Sequence, residues 1–193
     1  MPNHVTNIIR FGGEEKQVDQ LLKFVSTEKL ADDPESKSHL FDFNNIIPMS
    51  EELNCVSQHG NISDELDKLY KSNLKKYGFK NWYEWRIANW GTKWNCYDVD
   101  FHNDGSITFD TAWSTPEPII EALSEKFPEI EIHVDYADQD IGHNCGKYSY
   151  LDGEIQERIE FHGKSAIKFA MKVKGIDPED YGYDEDYNYI EED

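Results

Sequence analysis

The chain of 193 residues predicts an α+β domain: an antiparallel sheet with helices on one face. Three observations carry this. Stretches of period-two alternation and stretches of helical period follow one another as strand, helix, strand, and the set occurs twice. Two tight turns, Asn103-Asp104-Gly105 and Asp152-Gly153, join consecutive strands and make them antiparallel hairpins. All five tryptophans fall between Trp82 and Trp113, and such clustering of the largest apolar side chains marks the centre of a fold.

The elements follow in order. His4–Phe11 alternates Val5, Asn7 and Ile9 against Thr6 and Ile8 and reads as the first strand, broken by Gly12-Gly13. Val18, Leu21, Leu22 and Val25 recur at helical spacing, so residues 14–26 form a helix packed by one face, with Glu14 and Glu15 complementing its dipole. Residues 31–39 are a polar loop. Phe41–Ile47 is expected to be a second strand, stopped by Pro48. A helical insertion follows at about 48–92. Ser63 starts its first helix, and Asn81, with Glu84 three residues on, caps the next, which Gly91 ends.

Tyr97, Val99 and Phe101 are expected to point inward, and Cys96, Asp98 and Asp100 outward. The return strand places Ile107, Phe109, Thr111 and Trp113 on one face. Ser114 with Glu117 suggests a capping box for a helix at 116–127 carrying Ile119, Ile120, Leu123 and Phe127. Glu129–Tyr136 alternates strictly. A second hairpin, Lys147–Leu151 with Glu154–Phe161, precedes a helix over Ser165–Lys174 that Gly175 caps. The order defines a ferredoxin-like sheet with a helical insertion and a C-terminal hairpin-helix. Residues 1–175 form one domain, and 176–193 an acidic, Tyr-rich tail, partly docked through tyrosines 181, 183, 187 and 189. Trp82, Trp85 and Trp113 are expected to be buried, and Trp90 or Trp94 less so.

The net charge is −20 and unevenly placed. Residues 97–146 hold twelve acids against one base, Lys126, and residues 176–193 hold nine acids and no base. Such a field repels nucleic acid and membrane surfaces and attracts basic partners. The four lysines on one side of the first insertion helix, Lys68, Lys71, Lys75 and Lys76, therefore read as a solvated face paired with Asp64, Glu65 and Asp67, not as a phosphate-binding surface. Three widely spaced cysteines, no leader-like start and no long apolar run point to a reduced, cytoplasmic protein.

No dinucleotide, phosphate-loop, zinc-protease or serine-hydrolase motif occurs, so no catalytic residue and no cofactor is assigned. His133, Asp138, Asp140 and His143, with Cys145 beyond them, are the weak metal candidates; their ligand types suit a metal, but an acidic surface loop explains them more simply. The tryptophans could stack bases or sugars, but their positions match inward faces, which favours core. Cys96 reads as a structural thiol, because Asp98 and Asp100 would raise its pKa.

Several segments carry a resemblance. MPNHVTNIIRF at the start, IIPMSEEL at 46–53, NWGTKWN at 89–95, FDTAWSTPEPIIEALSEKFP at 109–128 and YADQDIG at 136–142 resemble the YubB-type proteins, plasmid- and phage-encoded chains with a ferredoxin-like domain and no established activity. The resemblance runs to about residue 146 and leaves the tail beyond 175 without a counterpart. It implies a mobile-element origin and transfers no catalytic residue.

The expected function joins charge to resemblance. An acidic mobile-element protein binds, and inhibits by nucleic-acid mimicry, a basic nucleic-acid-handling host protein such as a defence factor. It contacts no nucleic acid or membrane directly. The residues expected to meet the partner are Asp98, Asp100, Asp110, Glu131 and Asp135 on the sheet, with Asp184 and Asp186 in the tail. The alternatives are a metal-assisted enzyme centred on His133–Cys145 and a non-inhibitory interaction module.

Overall fold

Strand β1 (His4–Gly12) lies inside a six-stranded antiparallel sheet. The other strands are β4 (Tyr97–Phe101), β5 (Ile107–Ala112), β6 (Glu131–Asp138), β7 (Cys145–Leu151) and β8 (Glu154–Glu160), in the order β4-β5-β1-β6-β7-β8. The computed structural model describes residues 2–28, 39–58 and 60–190. The first four strands of that order, with helices α1 (Glu15–Val25) and α4 (Glu117–Lys126), make the ferredoxin-like unit. Strands β7 and β8 extend it past β6.

The second strand sits elsewhere than expected. Ser26–Glu28 (β2) pairs with His39–Phe41 (β3) in a separate two-stranded sheet, and Phe43–Asn45 is a 3₁₀ turn capped by the Asp42 carboxylate on the Asn44 amide. Asp42, Asn44 and Asn45 favour turn geometry, which overrides the alternation of Phe41 and Phe43. The loop expected at 31–39 lies, apart from His39, outside the described residues.

Helices α1 and α4 lie on one face of the sheet. Their apolar stripes (Leu21, Val25, Ile119, Ile120, Leu123) meet Val5, Ile9, Ile107, Phe109, Ile132, Val134 and Tyr148 in one core. The insertion joins the same core. It contains α2 (Asp64–Tyr77), capped by Ser63 accepting from the Leu66 amide, and α3 (Trp82–Trp90), capped by Asn81 accepting from the Tyr83 and Glu84 amides. Gly91 ends α3 at φ +75, and a Cβ there would lie 2.8 Å from Pro118 Cδ, so only glycine fits this crossing. No capping box forms at α4: Ser114 Oγ donates to the Gly91 carbonyl instead, and Glu117 accepts from Tyr150 at 2.6 Å and pairs with Arg158.

Helix α5 (Gly163–Lys174) packs on the opposite face. Ala166, Ala170 and Val173 meet Ala137 and Cys145, with Ile8 and Phe161 alongside. Small residues let the helix approach the sheet closely, and Lys174 Nζ reaches Thr6 Oγ1 at 3.0 Å. One-sided coverage thus holds for α1 and α4 and not for this last helix. Among the described residues no helix is long and apolar enough to cross a membrane.

The tryptophans divide only partly as expected: Trp85 is buried and Trp94 less so, whereas Trp82 is half-buried. Trp90 is fully buried and Trp85 nearly so, but Trp113 is 40% exposed. Trp90 ends α3 against the core, where its Nε1 donates to the Ile47 carbonyl at 2.9 Å. Trp113 follows β5 with a left-handed backbone, φ +77, which turns its indole off the inward face.

Candidate protein-interaction face

The outer face of the sheet, on the side of α5, carries the expected sheet acids, with β1 lying between those of β4 and β5 and those of β6. Its register follows from β1: Thr6 stands opposite Asp110 and Ala137, and Ile8 opposite Thr108 and Asp135. Arg10 stands opposite His133, and Gly12 opposite Glu131. Asp110, Glu131 and Asp135 therefore share one face, as expected.

Strand β4 joins this face through an irregularity. Tyr97 pairs with Asp110 and Asp100 with Thr108, so the register shifts between them, with Asp98 at φ +50 inside the bulge. An extra residue reverses the side-chain parity ahead of it. Tyr97 consequently lies on the outer face, not the inward one, while Val99 and Phe101 keep contact with the core. Cys96 turns inward too. Its thiol donates to the Phe41 carbonyl and is pushed far up by burial, with Asp42, not Asp98 or Asp100, as the nearby charge that adds to it.

Electrostatics split the five sheet acids into two groups. Asp135 forms an ion pair with Arg10 at 2.7 Å. Glu131 accepts from Ser149 Oγ at 3.1 Å and faces His133 Nε2 at 3.5 Å. Lys147, opposite Asp135, is drawn to Glu157 at 2.8 Å. The β6 side is thus interleaved with cations from neighbouring strands, which the chain-order count of charge does not register. Asp98, Asp100 and Asp110 are different: among the described residues none of the three forms an ion pair. Their field acts on Tyr97, whose phenol is pushed up to about 12 by burial first and then by Asp110 and Asp98. Its hydroxyl lies 2.8 Å from His4 Nδ1.

The tail docks on α5 through Tyr187, whereas Tyr181 and Tyr189, expected to dock it too, are exposed. Pro178–Tyr181 forms a 3₁₀ turn, and Tyr183 bridges to Tyr189. Lys164 of α5 donates to Asn188 Oδ1 at 2.9 Å, and Lys168 lies over the Tyr187 ring. Asp184 closes the turn, accepting from the Asp186 and Asn188 amides and from Asn188 Nδ2; these bonds, the Asn188 side chain foremost, lower its pKa. Its oxygens are committed within the tail, whereas Asp186 is exposed.

The four weak metal candidates are not brought together. Asp138 is buried and organises its own loop, accepting from Asn3 Nδ2, the Asp140 amide and Asn144 Nδ2. His133 stands toward the other end of β6, and His143 is exposed in the turn that Asp140 begins. Among the described residues no three His, Cys, Asp or Glu side chains are placed to hold a metal ion. On α2, Lys71 pairs with Asp67 at 2.5 Å and Lys76 with Glu52 at 2.6 Å, as a solvated face would.

One group of residues was not anticipated as a surface feature. Trp113, Tyr83, Trp94 and Tyr97 form an open aromatic strip beside the unpaired acids, linked by edge contacts between Tyr83 and Trp113 and between Trp94 and Tyr97. Lys93 Nζ lies 4.7 Å from the Trp94 ring centre and 5.0 Å from that of Trp113. A bulky residue in the left-handed region costs on the order of 1–3 kcal/mol. Here Trp113 is held by its amide donating to the Asn3 carbonyl and by Asn144 Nδ2 donating to its own carbonyl. The sequence signal was available: Lys93 lies beside Trp94 in NWGTKWN, and such neighbours suit a cation–π pair.

The fold and face define a ferredoxin-like α+β protein with an acidic, aromatic-edged sheet surface. The profile of the ferredoxin-like domain in Api92-like protein matches residues 89–185, and the chain belongs to that family. The match runs through most of the tail, beyond where the sequence resemblance was placed. The crystal structure of the protein api92 from Yersinia pseudotuberculosis superposes with a TM-score of 0.52 at 10% identity, covering 84% of this chain and 99% of that one, a likeness of fold. No curated protein matches.

Proposed function

We propose that this protein docks on a basic protein partner through the outer face of β4 and β5, as an acidic inhibitor of a nucleic-acid-handling host factor. The observation that carries it is the trio Asp98, Asp100 and Asp110 on β4 and β5, none of which, among the described residues, forms an ion pair. Like charges held together without counter-charge oppose folding and are relieved when a basic surface covers them. Asp98 sits in the bulge, so the row is not a regular strand repeat; what compares with the phosphates of a nucleic-acid strand is the crowding of carboxylates on one face. Glu131 and Asp135 contribute less, being already engaged. The resemblance to YubB-type proteins adds a mobile-element origin and makes a defence factor the natural target.

The test replaces Asp98, Asp100 and Asp110 with Asn. The partner is first captured from the host and purified, and its affinity is then measured against salt. Mimicry requires weaker binding and a flatter salt slope with an unchanged melting curve. Unchanged binding assigns the three acids to solubility.

A further inference from the structure

We propose that Trp94 and Trp113 form a socket for a cationic side chain, preferentially arginine, of the basic partner, and that Lys93 occupies it in the free protein. The inference rests on the acidic-face reading for the nature of the partner, but its geometry is independent of that reading.

Three observations carry it. The Lys93 ammonium lies over both indoles at 4.7 and 5.0 Å, so the two rings already accept a cation between them. Among the described residues Lys93 forms no ion pair, so these ring faces are what receives its charge. Trp113 is displayed outward at φ +77, a backbone that a tryptophan has no intrinsic reason to adopt. The strip also adjoins Asp98 and Asp110 through Tyr97, which touches the Trp94 ring and feels both carboxylates. Indoles for the cation's face and carboxylates for its charge make a site complementary to arginine. Lys93 is tethered beside Trp94, so a partner's guanidinium must displace it, and the lysine sets the threshold for docking.

The experiment measures binding of a fluorescent deca-arginine peptide by anisotropy at low and high salt. Lys93→Ala empties the socket and should tighten binding about three- to tenfold. Trp113→Gly removes the indole at a backbone position glycine adopts freely, so the fold should melt no lower than the parent while affinity falls roughly tenfold at unchanged salt slope. The Asn triple variant should instead flatten the slope. Loss of the slope effect alone sinks the acidic-face reading and leaves the socket standing. Unaltered affinity in Trp113→Gly with an intact fold, or weaker peptide binding in Lys93→Ala, overturns the socket. Capture of a single-stranded oligonucleotide that depends on Lys93 also overturns it, since the rings would then stack bases.

Discussion

Replacing Trp90 with Ala tests the account of the core most directly. The indole is fully buried where α3 ends, edge-on to Phe43 at 5.7 Å and to Trp85 at 5.5 Å, with the Arg86 guanidinium over it at 4.9 Å. Truncating a buried Trp to Ala costs about 3–5 kcal/mol through lost transfer energy and the cavity left behind. The Ile47 carbonyl also loses its donor, adding about 1 kcal/mol. The expected loss is therefore about 4–6 kcal/mol, a large share of the 5–15 kcal/mol typical of a domain. Trp113→Ala, at 40% exposure, should cost no more than about 1 kcal/mol. Urea denaturation followed by far-ultraviolet circular dichroism compares the two without relying on tryptophan emission. A Trp90→Ala loss below about 1 kcal/mol, or equal losses for the two variants, would refute the assignment of Trp90 to the core and Trp113 to the surface.

Gly146→Ala should destabilise by about 1–3 kcal/mol, because a Cβ there would sit 2.5 Å from the Ile159 carbonyl oxygen and 2.9 Å from the Tyr136 hydroxyl; a melt indistinguishable from the parent would contradict the close approach of β7 and β8. Tyr97 should titrate near 12 by nuclear magnetic resonance of labelled tyrosine, and Asp110→Asn should lower that value while leaving it above 10, since burial is the larger cause. The fold favours the neutral phenol, so its share of stability is complete below about pH 10 and is lost as pH rises through about 12; a Tyr97→Phe variant whose alkaline melting matches the parent would count against this.

The parts legible in the sequence were those fixed by short-range chemistry. Ser63 and Asn81 cap their helices because their side chains reach amides two or three residues away. Asp152 and Gly153 turn β7 into β8 because both accept positive φ. What escaped notice depends on partners distant in the chain. The bulge at Asp98 contains no glycine, and it reverses the side Tyr97 takes with no change in the alternation of residues. Phe41 and Phe43 are both buried, yet they reach the core from a bridge strand and a turn, which period alone does not distinguish from one longer strand. Ile167, Ala170 and Met171 announce a packed helix, but neither the stripe it uses, Ala166, Ala170 and Val173, nor the face of the sheet that receives it. The partnering of Arg10 with Asp135 joins strands 125 residues apart, so a tally of charge along the chain left those acids bare.

The placement of α5 sets how the molecule breathes. Strands β1 and β6 are roofed on both sides near Ile8 and Ala137, whereas β8 is exposed at every position. Opening the middle of the sheet must uncover two apolar layers at once, while the β8 margin can peel away with little loss. Amide hydrogens there should exchange through small local openings, and those between β1 and β6 only when the whole fold comes apart. Of the two edge strands of this sheet, β8, with Ile155 and Ile159 half open to solvent among glutamates, is then the one more open to a protease or a neighbouring strand.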